Sequence, residues 1–262
     1  MLLHYITGVL PTLEVDHVQA LTMTEFLESI LDADWKKQKK KMRYASDFRT
    51  QEETKDEVRK TRRFKGSLGF VKAAQRWIDR LEHRLLSRED AVLEGKTIFR
   101  QEEVETFCQA FPRMPLQRKI DVLNKRLMNQ FKNECRDRDW SADKSRTESK
   151  AFRGYYGKAK GKIDLWGYYL EFIQELSDEY PLLIENLQAG VADLYDLAIL
   201  TLFKKRLTDT DDFTGVRHIV IDEAQDFGMM AYGVLAYCLR GCTYTIMRDV
   251  SQNIHFGYGL ND

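Results

Sequence analysis

Two acidic side chains, Asp222 and Glu223, stand together near the middle of the run His218 to Phe227 (HIVIDEAQDF), and a second run, Thr245 to Ile254 (TIMRDVSQNI), carries Asp249 and Gln252. Adjacent carboxylates at the end of a strand suit a site that holds a divalent cation and activates a water, as in nucleotide hydrolysis. A bare Asp-Glu pair is more often an acidic turn after an ordinary strand. The second apolar run ending in a polar turn argues for more than that.

Both sets of residues need elements to aim them. The β-branched run Ile219 to Ile221 predicts a buried strand that delivers Asp222 and Glu223 to its carboxyl end. The two strand ends lie about 25 residues apart with one helical stretch between them, which is the βαβ spacing of a parallel sheet. Ligand sites in such sheets lie beyond the carboxyl ends of the strands, so the four polar side chains are expected to converge on one edge.

These runs resemble motifs II and III of the UvrD-like superfamily 1 helicases, D-E-x-Q-D and G-D-x-x-Q, and the wording is most similar to the helicase IV and HelD-like branch. Tyr5 to Thr22 (YITGVLPTLEVDHVQALT) resembles the YI-x-x-VLP-x-LGE-x-x-V segment of that branch. Asp193 to Arg206 (DLYDLAILTLFKKR) resembles the helix that precedes motif II. The resemblance implies an α/β fold, a partial RecA-like P-loop NTPase domain with a parallel sheet, interrupted by a large, mainly helical insertion. Residues 1–29 and 191–262 then belong to the RecA-like domain 1A, and 30–190 form the 1B-type insertion with its basic arm.

Roles follow by the same resemblance. Asp222 is the magnesium ligand and Glu223 orients and activates the attacking water. Gln252 contacts the terminal phosphate, Asp249 braces its turn, and Gln225 and Asp226 complete motif II beside the nucleotide. Thr22, His255 and Phe256 face nucleic acid. The implied cofactors are ATP and Mg2+, and the implied activity is that of an ATP-hydrolysing DNA helicase or translocase of 3′–5′ type. DNA, single-stranded or at a duplex junction, is the implied partner, with RNA polymerase as the alternative in HelD-like proteins.

The chain also departs from the family. No G-x-x-x-x-G-K-[ST] phosphate loop occurs, since Gly95-Lys96-Thr97 has Asp90 where the first glycine belongs. By the family order that loop would fall upstream of Met1 and the second ATPase domain beyond Asp262, so the chain reads as an internal piece that does not hydrolyse ATP alone. Arg248 replaces the glycine of motif III, and Glu14-Val15 replace a Gly-Glu pair. Two rival readings are a non-catalytic module that grips nucleic acid or a polymerase, and a decayed enzyme.

Composition fits a cytoplasmic chain without a membrane anchor. In 262 residues, 41 basic and 41 acidic side chains cancel, and no apolar run approaches the roughly 18 residues of a membrane span. Four scattered cysteines make a disulfide framework an unsuitable reading. The zero net charge hides an asymmetry: Lys36 to Lys65 holds 13 basic and 5 acidic residues, whereas Gly161 to Met230 holds 5 basic and 14 acidic. Such a basic arm is either a solvated helix face or a surface that follows phosphates.

Elsewhere the spacing predicts helices over Ser67–Leu86, Leu116–Cys135 and Asp164–Leu176, each with one apolar stripe. Ala91 to Arg100 reads as a short hairpin around Gly95, and Arg136 to Lys150, with Trp140, reads as an exposed loop. The aromatic residues of the third helix read as core.

Overall fold

A computed structural model describes residues 18–39, 41, 43–44, 56–157, 161, 163–208 and 215–248. These residues are mostly helical, with three two-stranded sheets. Helix α1 (Met23–Lys39) is kinked at Asp32, whose φ is 43°. Strand β1 (Arg43–Tyr44) and helices α2 (Asp56–Gly66) and α3 (Leu68–Leu85) follow. Ser67 caps α3 by accepting a hydrogen bond from Gly69 N at 3.1 Å, so the boundary read from the sequence holds.

The hairpin of β2 (Ala91–Leu93) and β3 (Lys96–Phe99) turns through Glu94 and Gly95, both at positive φ, 48° and 82°. Glycine accepts that conformation without cost, which explains Gly95-Lys96-Thr97 as hairpin chemistry rather than a phosphate loop. Next come α4 (Gln101–Ala110), α5 (Leu116–Asp137), α6 (Ala142–Phe152), α7 (Leu165–Leu176) and α8 (Pro181–Gln188). Strand β4 (Val191–Ala192) pairs in parallel with β1, bringing Arg43 opposite Val191.

Helix α9 (Leu194–Leu207) is buried on nearly every side, from Leu197 and Ile199 to Leu202, Phe203 and Leu207. A helix this apolar all round must lie inside a core, and α1, α3, α7 and α10 (Met229–Cys238) pack around it. Rings from three helices meet there: Phe203 stacks on Trp77 of α3 at 5.4 Å and lies 6.0 Å from Phe172 of α7. The α7 aromatics Tyr169 and Phe172 are thus core, as the sequence suggested. Because α3 packs on both α9 and α10, residues on either side of position 190 share this core.

Three sequence expectations change. Residues 142–152 form α6, capped by Ser141 Oγ, which accepts from Lys144 N at 3.3 Å; Trp140 is half-buried with the Lys144 ammonium 3.9 Å from its ring centre. The stretch has almost no apolar stripe; the cap, ion pairs such as Lys144 with Glu94, and the single buried ring of Phe152, 5.3 Å from that of Phe131, hold it. The strand β5 (His218–Ile221) is not fully buried: Ile221 is 8% exposed but Val220 is 58% exposed, because among the described residues helices cover only one face of its sheet. Finally, the basic run is not one free surface. Lys65 is buried, with Nζ 2.6 Å from Asp193 Oδ2 and 2.7 Å from Asp196 Oδ1, and Lys39 reaches Glu28 at 2.7 Å.

A second buried ionic group ties α3, α5 and α9 together. Glu82 accepts from Lys119 Nζ at 2.8 Å and from Arg206 Nε at 2.9 Å, and Arg206 also donates to Asp79 at 2.6 Å. Every charge in it has an opposite partner, which is the condition for burying ions at all. Among the described residues no helix is long and apolar enough to cross a membrane.

Candidate functional site

The β5–α10–β6 unit builds the site. Strand β6 (Thr243–Ile246) runs parallel to β5 in the register His218 opposite Thr243 through Ile221 opposite Ile246. The parallel βαβ arrangement expected from the two apolar runs is therefore present. Side chains alternate along β5, so Ile219 and Ile221 turn to the helices while His218 and Val220 turn outward. On the outward face the His218 ring lies 2.6 Å from Thr243 Oγ1 through Nδ1 and 3.1 Å from Thr245 Oγ1 through Nε2, a clasp across the two strands.

The ladder continues past the strand ends. Met247 N donates to Ile221 O at 2.9 Å and Ala224 N donates to Met247 O at 3.0 Å. These bonds pin the turn bearing Asp222 and Glu223 beside the backbone leaving β6. Both carboxylates are exposed there. Asp222 Oδ1 accepts from Glu223 N at 2.9 Å, and Glu223 Oε2 accepts from the buried Gln225 Nε2 at 2.6 Å.

Glu223 sits in the left-handed region, at φ 51° and ψ 41°. A side chain held there stores strain that the surroundings must offset, and such residues concentrate at functional turns. What offsets it is a set of contacts from the helices. Tyr232 of α10 donates its hydroxyl to Ala224 O at 2.7 Å, and Tyr195 of α9 accepts from Gly228 N at 3.0 Å. Burial and the nearby Asp226 charge hold the Tyr232 phenol above its ordinary pKa, so it stays a donor across the physiological range. One carboxylate oxygen of Asp226 is buried with no hydrogen-bond partner.

Tyr195 and Tyr232 were not singled out from the sequence. Tyr195 lies in the run resembling the helix before motif II, and a tyrosine whose ring is buried needs a partner for its hydroxyl. Replacing Tyr195 by phenylalanine orphans the buried Gly228 N, and replacing Tyr232 leaves Ala224 O with only the longer 3.4 Å bond from Phe227 N. Each change is expected to cost about 1–2 kcal/mol, read by urea unfolding, with faster amide exchange at residues 224–228. Unchanged exchange there would show that these hydroxyls do not hold the turn.

The structure thus brings Asp222, Glu223, Gln225 and Asp226 together at the carboxyl end of β5. Thr22 is exposed and serves as a cap of α1. Its backbone N donates to Glu25 Oε2 at 2.7 Å, its hydroxyl donates to the same oxygen at 2.8 Å, and its Oγ1 accepts from Glu25 N at 3.1 Å, a reciprocal capping box. Asp249, Gln252, His255 and Phe256 lie outside the described residues. No group of three or more metal-ligating side chains forms among the described residues.

No protein-family model, curated protein or solved structure matches the chain.

Proposed function

We propose that this chain is part of a nucleic-acid-dependent ATPase of the UvrD-like superfamily 1 type, contributing motif II and the start of motif III of a RecA-like domain together with a helical insertion. The observation that carries the reading is the parallel β5–α10–β6 unit, with Asp222 and Glu223 exposed at the carboxyl end of β5 and hydrogen-bonded into the exit of β6. Bound magnesium would supply charge neutralisation at the outer phosphates. Asp222 is the residue that would hold it, and its Oδ2 has no hydrogen-bond partner among the described residues.

Glu223 is the residue to orient and deprotonate the attacking water. Its carboxylate is exposed, and Gln225 steadies one oxygen while the other is left to accept a proton. DNA is the partner on this reading, with RNA polymerase remodelling the HelD-like variant of it. A second reading, a binding module without turnover, draws on Arg248, a bulky exposed cation where the family has glycine at the exit of β6.

Reading the coding sequence on both sides of residues 1–262 separates the two. The ATPase reading expects an in-frame G-x-x-x-x-G-K-[ST] loop on the amino-terminal side and a second ATPase half on the carboxyl-terminal side. In-frame stop codons immediately flanking the 262 codons would contradict it and favour the binding module.

A further inference from the structure

Helices α4 and α5 flank a space that the ATPase reading does not use. Arg126, Asn129, Gln130 and Asn133 recur on α5 at the three- and four-residue spacing of one helix face. With Phe99 at the end of β3 and Glu103 in the first turn of α4, they line a concavity of about 330 Å³. That is the lower end of the roughly 300–1,000 Å³ of small-molecule sites, a size that suits one small metabolite.

Two opposite charges line this space without neutralising each other. Glu103 is fixed at the start of α4, where its Oε2 accepts from Arg100 N at 2.9 Å, and its Oε1 has no hydrogen-bond partner among the described residues. Arg126 is held with its guanidinium 4.7 Å from the Phe107 ring centre. Neither forms an ion pair with the other or with any other described residue. Asn129 and Gln130 are exposed and form no hydrogen bond with the described residues, while the buried Phe99 supplies an apolar wall.

We infer that this concavity binds a free α-amino acid with a carboxamide side chain, its ammonium taken by Glu103, its carboxylate by Arg126 and its amide by Asn129 and Gln130. The two lining charges cancel, so a ligand of one sign would satisfy only half of the site. A zwitterion satisfies both halves, and hydrogen bonds between charged groups are the stronger class. A guanidinium resting on a ring keeps the N–H groups in its own plane available, and their fork matches a carboxylate. Asparagine and glutamine amides each offer donors beside an acceptor, the complement of another carboxamide. The inference does not rest on the ATPase reading, whose carboxylates lie at the end of β5, outside this site.

Calorimetric titration of the full chain with L-glutamine tests the assignment. Three matched probes each lack one feature: N-acetyl-L-glutamine the ammonium, L-glutaminamide the carboxylate, and L-leucine the side-chain amide. L-Glutamine is expected to bind once per chain, and each of the three about 10-fold more weakly or worse. Glu103→Gln keeps an oxygen to accept from Arg100 N, and Arg126→Met keeps the apolar stem, so both are expected to retain the wild-type helical circular dichroism signal. Each is expected to weaken L-glutamine about 10-fold, Glu103→Gln without further effect on N-acetyl-L-glutamine and Arg126→Met without further effect on L-glutaminamide. That matched pattern is one that a general loss of structure does not produce. No binding of L-glutamine at millimolar concentration, equal binding of all four compounds, or wild-type affinity for L-glutamine in both variants would each overturn the inference.

Discussion

Lys65→Met is expected to lower the unfolding free energy by about 3–5 kcal/mol at neutral pH, because it strands two carboxylates in the core without their counter-charge. Lys65, Asp193 and Asp196 are each less than 10% exposed. Asp193 caps α9, accepting from Tyr195 N at 2.9 Å and Asp196 N at 3.1 Å, while Asp196 accepts from Asp193 N at 2.7 Å and from the Tyr169 hydroxyl. The loss therefore reaches the start of the helix that carries Tyr195 to the Asp222–Glu223 turn.

The penalty has a defined pH dependence. Burial, and then the charge of Asp193, push the Asp196 carboxyl up to about 6 from its ordinary value of 3.8. Its folded pKa exceeds its unfolded one, so its favourable contribution is complete below about pH 4 and is lost as pH rises through about 6. Burial pulls the Lys65 ammonium down, but Asp193 and Asp196 pull it up further and keep it charged in this range. Without Lys65 the attraction that restrains Asp196 disappears and the window extends upward. Urea unfolding at pH 4 and pH 8 is expected to show a larger penalty for Lys65→Met at the higher pH, partly recovered by adding Asp193→Asn and Asp196→Asn. A penalty below about 1 kcal/mol at both pH values would mean that the three charges do not interact as described.

This cluster marks a limit of what the sequence discloses. Lys65 reads as one more member of a basic run, and its partners stand 128 positions or more away; the fold alone brings it to Asp193 and Asp196 at the start of α9. Local signals fared better. Helices α3, α5 and α7 follow from apolar residues at three- and four-residue spacing, Ser67 and Asp164 mark their starts, and Gly95 marks the hairpin. Helix α6 escaped because RDRDWSADKSRTESK has no stripe to detect, although Ser141 is a cap in plain sight.

At the candidate site, the two apolar runs disclosed the parallel pair and the position of Asp222 and Glu223. The run Ile219 to Ile221 suggests full burial because β-branched residues favour both covered and half-covered strands. Coverage depends on what packs against each face, and here Val220 is left outside while Ile221 is covered. The left-handed backbone at Glu223 and its support by Tyr195 and Tyr232 are three-dimensional facts with no local signature.

The second large effect concerns turnover. A general base contributes about 10²–10⁴ to a rate, and on the proposed reading Glu223 is that base, with one oxygen held by Gln225 and the other open. The chain on its own is expected to show no ATP turnover, because it contains no glycine-rich loop to cradle the phosphates. Arg248 is exposed beside the same edge, so any activity of the assembled site must accommodate its charge.

The most direct measurement is Mg2+-dependent, single-stranded-DNA-stimulated ATP turnover by a polypeptide in which these 262 residues follow in frame on a G-x-x-x-x-G-K-[ST] segment and precede a second ATPase domain. The expected result is turnover that falls by about 10²-fold or more in Glu223→Gln while nucleotide binding is retained. Turnover at the unsubstituted rate in Glu223→Gln would contradict the assignment of the β5 carboxyl end as the hydrolytic site.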